Sequence, residues 1–160
     1  MKEERCRGAR TSGELSASSG GYWTVTADGT VTAHDGAQTY GSAANLALHQ
    51  PIVGIASTTD GGGYWLVAAD GGVFAYGDAT FHGSAGAIHL GQPVIGIAPT
   101  SDGGGYWLLA ADGGIFAYGD ATFHGSLPAT PGAGPAAGFV TTTNGYAIIG
   151  ANGTLHTYPA

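Results

Sequence analysis

Short apolar segments separated by glycine-rich turns recur along the whole chain. Residues 64–69 (YWLVAA) and 73–76 (VFAY) are apolar at odd and even positions alike. A strand with one face in water alternates apolar and polar residues, so strands of this kind are covered on both faces. The sequence has nowhere to place covering helices, and we therefore expect each sheet to be covered by other sheets.

The pattern returns at a fixed interval. Residues 93–126 nearly copy residues 51–84, so that Trp65 and Trp107 lie 42 residues apart, and looser copies precede and follow this pair. A period of about 20–50 residues indicates a repeat architecture. We divide the chain into a polar N-terminal tail and one repeat domain. The tail is 1–10, the domain is 11–160, and the repeats are approximately 11–50, 51–92, 93–134 and 135–160.

Each full repeat contains four segments that we interpret as short strands. In the second repeat they are PIVGIAS, GYWLVAA, GVFAY and TFHGS, with Asp70-Gly71 between the second and the third. Asp or Asn followed by Gly tolerates the positive φ that a type I′ turn requires at both central residues, so the pattern predicts a hairpin with that turn. The equivalent dipeptides are Asp28-Gly29, Asp112-Gly113 and Asn152-Gly153.

Four-stranded antiparallel sheets stacked face to face, at about 40–45 residues per sheet, are typical of β-propeller blades. We predict an all-β, propeller-like array of about four blades, with the first strand, rich in Gly and Ala, innermost. Because one fourth strand is missing, the first or last blade is incomplete. Residues 2–10 could supply that strand; otherwise the chain is a partial propeller completed by oligomerisation or by a longer chain. A β-solenoid or a β-sandwich fits the strict repeat less well.

The turn before the tryptophan has a signature of its own. Residues 58–65 and 100–107 fit the pattern [ST]-x-D-x-G-x-x-W and resemble the Asp-box of sialidase-type propellers. An Asp carboxylate can accept backbone N–H bonds across a glycine turn while the Trp packs beneath it. The resemblance supports a propeller and does not imply sialidase activity.

The blocks DGGGYWL, DGG[VI]FAYGDA and FHGS occur together in residues 51–126. In this combination the chain resembles the tandem repeat of many secreted or surface proteins of actinobacteria, often a tail beside cell-wall hydrolase, amidase or esterase domains. The likeness is looser over 13–50 and 135–158. The likeness implies a propeller-like, extracellular module. The chain also resembles, more loosely, propeller lectins that hold one sugar per blade.

The N-terminal segment does not match an export signal. MKEERCRGARTSGEL has basic residues but no apolar region, so it is not a signal peptide as it stands. Either the protein is made without export, or the chain is a fragment of a longer exported protein.

The distribution of charge limits the partners. All four basic residues lie within the first ten positions, and nine of the eleven acidic residues follow them. Nucleic acids and anionic membranes are bound through Lys and Arg, so we expect neither as a partner. No apolar run reaches the roughly 18 residues of a membrane span. Neutral or cationic ligands remain.

Enzymatic chemistry has little support in the sequence. Glycoside hydrolysis needs two carboxylates about 5–9.5 Å apart, and the acids here lie in glycine turns. Ser84, His82 and Asp78 lack the G-x-S-x-G context of a nucleophile elbow. His124 and Asp120, like their counterparts one repeat earlier, lack the spacing of a metal site. We predict no catalytic residue, no metal and no cofactor.

An aromatic ring beside polar side chains is typical of a sugar site, because the ring stacks on the C–H face while polar groups bind the hydroxyls. We therefore predict a repeated carbohydrate site, whose weak copies gain avidity together. Its residues are Tyr76, Asp78 and His82 in one repeat and Tyr118, Asp120 and His124 in the next. The predicted function is a non-catalytic, lectin-like module for cell-wall or other extracellular glycans. A protein-interaction or scaffold module is the alternative.

Overall fold

A computed structural model describes residues 21–129, 134–143 and 145–159. Within these ranges the chain forms strands and one short 3-10 helix, η1 (Leu127–Ala129). No helix in this part of the chain is long and apolar enough to cross a membrane. The strands are β1 (Tyr22–Val25), β2 (Val31–His34), β3 (Ile52–Ser57), β4 (Gly63–Ala68), β5 (Val73–Gly77), β6 (Val94–Pro99), β7 (Gly105–Ala110), β8 (Ile115–Gly119), β9 (Ala136–Thr142), β10 (Gly145–Gly150) and β11 (Leu155–Pro159).

These strands form four small antiparallel sheets, one for each sequence repeat, which confirms the all-β prediction. Sheet 1 pairs β1 with β2, and sheets 2, 3 and 4 have the orders β3-β4-β5, β6-β7-β8 and β9-β10-β11. The predicted first strand of repeat 1, near residues 13–18, lies outside the described residues, as does the tail 1–10.

The hairpins form where the Asp-Gly and Asn-Gly dipeptides predict them, but the predicted turn type is wrong. Among the described residues, Asp35 is the one non-glycine with positive φ, so Asp70 does not have the φ that a type I′ turn requires. Between Asp70 and Gly71, only Gly71 has a positive φ, of +86°, and its N–H donates to the Ala68 carbonyl. The Asp70 carboxylate accepts the Gly72 N–H at 3.0 Å, which favours a turn with one left-handed glycine.

The predicted fourth strand, TFHGS, is also not a strand, so sheets 2 and 3 have three strands instead of four. After β5 the chain turns sharply, because Gly77 has φ +68° and the Ala79 N–H donates to the Tyr76 carbonyl. The segment then runs back along the sheet until the Ala85 N–H reaches the Gly71 carbonyl. Gly83 has φ +130°, outside the β region, so a regular ladder cannot continue through it.

Both faces of each full repeat are covered, as the absence of alternation predicts. We call the side facing the preceding repeat the back face and the other side the front face. Tyr64 and Leu66 point to the back and pack with Trp23 of sheet 1, whereas Trp65 and Val67 point to the front and pack with sheet 3. Full burial of a side chain such as Leu66 contributes about 1.5–3 kcal/mol, so each sheet depends on both neighbours.

The first strands of successive sheets lie against one another, β3 on β6 and β6 on β9. Small residues permit this approach. A Cβ added at Gly54 would lie 3.8 Å from the Cα of Gly96, and one added at Gly96 would lie 3.5 Å from the Phe139 ring. The pairing of β3 with β4 also shifts register between Ile52 and Gly54. Gly54 and Gly96 therefore lie where the first strands of successive sheets meet.

A buried tyrosine hydroxyl fastens each sheet to the loop of the preceding repeat. The Tyr106 hydroxyl accepts the His82 N–H at 3.0 Å and donates to the Gly83 carbonyl. Tyr64 makes the same contacts with residues 40 and 41, and Tyr146 with residues 124 and 125. We call this arrangement the tyrosine clamp. It occupies backbone groups of the segment that was predicted to form the fourth strand.

Removing one clamp hydroxyl is expected to destabilise the protein. Tyr106→Phe keeps the ring but leaves the His82 N–H and the Gly83 carbonyl without their partner, which costs about 1–3 kcal/mol. Tyr118→Phe is the matched control, because the Tyr118 ring packs against Gly83 while clamp bonds to that loop come from Tyr106. Urea unfolding measures the stability of both variants, and an equal loss of stability in the two would contradict the clamp.

Alkaline pH is expected to weaken the same contacts. Burial raises the pKa of Tyr64, Tyr106 and Tyr146 above 10.0, and this outweighs the lowering by the N–H groups that the hydroxyls accept from. The folded state therefore holds protons that the unfolded state releases, so stability is complete below about pH 10 and is lost as pH rises through the raised values. Urea midpoints should stay constant up to about pH 9 and fall as the pH rises above about 10. The urea midpoint of the Tyr106→Phe variant should fall less. A parent midpoint that does not change with pH would contradict the prediction.

Candidate functional site

Two equivalent grooves lie between successive sheets, at the end of each sheet that carries the Asp-box turn. Groove A lies between sheets 2 and 3 and has a volume of about 470 Å³. Groove B lies between sheets 3 and 4 and has a volume of about 290 Å³. The main walls of groove A are Thr58, Asp60, Trp65, Asp78, Thr80 and Asp102. Those of groove B are Thr100, Asp102, Trp107, Asp120, Thr122 and His124.

The Asp-box turn builds the rim of groove A. The Asp60 carboxylate accepts the Gly62 N–H at 3.0 Å and the Thr58 hydroxyl at 3.0 Å. The Thr58 oxygen in turn accepts the Gly63 N–H at 3.0 Å. A glycine-rich turn has many free N–H groups, and a short acidic side chain satisfies them locally. The turn thereby fixes Asp60 at the mouth of the groove.

A second carboxylate approaches the same hydroxyl from the end of β5. The Asp78 carboxylate oxygen lies 3.0 Å from Thr58 Oγ1, and in groove B the Asp120 oxygen lies 3.2 Å from Thr100 Oγ1. A threonine hydroxyl has one proton to donate, so it cannot satisfy two carboxylates at once. Each groove therefore presents carboxylate lone pairs that can accept hydrogen bonds from a ligand.

The rim carboxylates stay ionised well into the acid range. The Gly62 N–H, followed by the Thr58 hydroxyl, lowers the pKa of Asp60 below 3.8. The Gly104 N–H and the Thr100 hydroxyl lower the pKa of Asp102 in the same way. No Lys or Arg occurs after residue 10, so no lysine or arginine side chain of the repeat domain neutralises these acids. The grooves are acidic and rich in hydroxyl groups.

A tryptophan lines each groove, and an exposed phenylalanine follows in sequence one of the groove threonines. The buried indole of Trp65 forms part of the wall, and its Nε1–H donates to the Thr80 carbonyl at 2.7 Å. Phe81, which follows Thr80 in the chain, is 56% exposed, and its counterpart Phe123 is 55% exposed. An exposed aromatic ring at the same position in two repeats has no role in the core. It is available for stacking on a ligand.

The two sheets that form groove A are also tied together at its rim. The Thr59 hydroxyl donates to the Ser101 carbonyl at 3.2 Å, across one full repeat. The groove is consequently formed by two turns that are fixed to each other. Its geometry does not depend on a free loop.

The predicted site residues are divided between the groove and the sheet junction. Asp78, Asp120 and His124 line the grooves. His82 instead bonds across the junction, its Nε2–H donating to the Gly103 carbonyl at 3.1 Å, with its ring 5.4 Å from that of Tyr106. In repeat 1 the hydroxyl of Tyr40 makes the equivalent bond to the Gly61 carbonyl. His82 therefore fills a structural position that a tyrosine also fills.

The two predicted tyrosines lie on the back faces of their sheets. Tyr76 packs beside Tyr64, with ring centroids 5.9 Å apart, and Tyr118 packs beside Tyr106 at 6.0 Å. Tyr118 also lies against Gly83, where an added Cβ would be 2.6 Å from its ring. It therefore approaches the His82 loop of the preceding repeat. The three site residues predicted in each repeat therefore do not lie together in one cluster.

Sequence reasoning missed the threonines and acids of the Asp-box turns as site residues. The pattern itself pointed to them, because it places Thr58 and Asp60 in one exposed glycine turn and the same pair in the next repeat. It was interpreted as turn chemistry alone. What the sequence could not show is that the following turn, with Asp102, closes the other side of the groove.

Among the described residues, no group of three or more His, Cys, Asp or Glu side chains could hold a metal ion. In this part of the chain the grooves offer carboxylates, hydroxyls and aromatic rings. Groups of this kind can form hydrogen bonds with a polar ligand and stack on it.

Comparisons with known proteins add no assignment. No protein-family model matches the sequence, and no curated protein matches it significantly.

Proposed function

We propose that this chain is a non-catalytic, lectin-like module that binds extracellular glycans in the grooves between its repeats. The observation that carries the proposal is the repetition of one groove, with carboxylates and threonine hydroxyls at its rim, a tryptophan in its wall and an exposed phenylalanine next in sequence to one of its threonines. Sugars offer hydroxyl donors for the carboxylates and C–H faces for the phenylalanines. From the residues first predicted, the proposed site keeps Asp78, Asp120 and His124.

The sheets are proposed to be blades of a propeller-like assembly, as the face-to-face packing of successive sheets supports. Val140 and Leu155, on the front face of sheet 4, are 50% and 57% exposed, whereas Ile115, at the position equivalent to Leu155, is 9% exposed. A further sheet packing there, from this chain, from a longer one or from a second copy, would cover them. The likeness to repeats of surface proteins supports an extracellular location.

The phenylalanines provide the sharpest test. The double variant Phe81→Ala/Phe123→Ala is expected to lose most of its glycan binding, because stacking on each aromatic ring contributes about 0.5–1.5 kcal/mol and both grooves are affected. A glycan array that includes peptidoglycan fragments, followed by competition with the free sugar, measures the effect. Urea unfolding should show the variant to be as stable as the parent, because both rings lie mainly in solvent.

The matched control is Leu46→Ala/Ile88→Ala. These side chains are exposed to a similar degree, 48% and 52%, and lie on the connecting loops near the Asp-Gly hairpins, at the other end of the sheets. This variant should bind glycans like the parent. A blank array with folded parent protein, or equal binding by both double variants, would refute the groove as a glycan site.

The second candidate function is protein interaction, and one observation favours it. Leu46 and Ile88 occupy equivalent positions in successive repeats and expose apolar side chains on the same end of the array. A repeated apolar position suits a protein surface better than a sugar. If the array is blank, loss of a protein partner in the Leu46→Ala/Ile88→Ala variant becomes the expected result.

A further inference from the structure

We infer that grooves A and B form one continuous binding trough, and that the ligand is a linear, uncharged or amine-bearing polysaccharide recognised along its chain. The inference rests on the proposed glycan-binding function and specifies its ligand. It differs from recognition of one terminal sugar in each repeat.

The two grooves share a wall. Asp102 lines both groove A and groove B. It belongs to the Asp-box turn of repeat 3, which forms the far side of the first groove and the near side of the second. A ligand that leaves groove A over this turn therefore enters groove B directly.

The turn between the grooves is held by several hydrogen bonds. The Asp102 carboxylate accepts the Gly104 N–H at 3.1 Å and the Thr100 hydroxyl at 2.8 Å. On the groove A side, the Ser101 carbonyl accepts the Thr59 hydroxyl. The two grooves are thus held in one relative position, which lets a single extended ligand occupy both without ordering the protein first.

The spacing and the charge of the grooves suit a linear chain without negative charge. Packed sheets lie about 10 Å apart, so equivalent points of the two grooves are separated by roughly the length of a disaccharide. The trough contains carboxylates, and the repeat domain after residue 10 contains no Lys or Arg. An anionic chain would be repelled by these carboxylates and would find no Lys or Arg among the described residues. Neutral hydroxyl groups or amines match the carboxylate acceptors.

The test compares oligosaccharides of increasing length. Chito-oligosaccharides in N-acetylated and de-N-acetylated form, from the dimer to the hexamer, are titrated into the purified chain by calorimetry. A trough predicts that affinity rises more than tenfold between the dimer and the hexamer, since the second groove binds at a high effective concentration. Polygalacturonic acid oligomers, which are anionic, should not bind.

A pair of matched variants locates the effect. Asp102→Ala and Asp60→Ala remove the same carboxylate from equivalent turns, where each accepts one glycine N–H and one threonine hydroxyl. Asp60 lines groove A but not groove B, whereas Asp102 lines both. Asp102→Ala should abolish the length dependence and leave weak dimer binding, while Asp60→Ala should lower hexamer affinity and keep part of the length dependence. Urea unfolding checks that the two variants are equally stable.

The outcomes separate this inference from the proposed function. If short and long oligomers bind with equal affinity, or if Asp60→Ala and Asp102→Ala behave alike, the grooves act separately and the trough is refuted while glycan binding stands. If none of these sugars binds and the array is also blank, the proposed function fails and the inference fails with it.

Discussion

The structure depends on one constraint, which is that a three-stranded sheet with two apolar faces must be covered on both sides. β4 places Tyr64 and Leu66 on one face and Trp65 on the other, so sheet 2 needs a neighbour on each side. Dispersion and apolar burial hold the faces together but do not fix their register. The tyrosine clamp supplies that specificity, because its hydroxyl must meet one N–H and one carbonyl of the preceding loop.

The clamp also determines where the candidate site lies. By holding the segment after β5 against the next sheet, it leaves the Asp-box turns of neighbouring repeats facing each other across an open space. Thr80 reaches the edge of this space because it precedes the clamped His82 by two residues. A regular fourth strand would have bonded instead along β5. The groove is therefore a consequence of replacing a strand with a clamped loop.

Much of the fold could be predicted from the residues. The lack of alternation in β4 correctly indicated coverage by other sheets, and Asp70-Gly71 marked a hairpin. The turn type was wrong because the Asp70 carboxylate satisfies the Gly72 N–H from a residue with ordinary negative φ. The prediction that TFHGS forms a strand was wrong because backbone groups of this segment bond to a tyrosine side chain of the next repeat. Local sequence patterns cannot show such a partner. The site was predicted in part, since Asp78 lines groove A while Tyr76 packs on the back face.

Amide hydrogen exchange followed by NMR tests the account most directly. Because tyrosine hydroxyls accept them, the amides of Tyr40, Gly41, His82, His124 and Gly125 should exchange as slowly as strand amides, although none of these residues is in a strand. The amide of Ala87, in a connecting loop, should exchange fast. If the five amides exchange as fast as Ala87, the repeats are not joined by the clamp and the account is wrong.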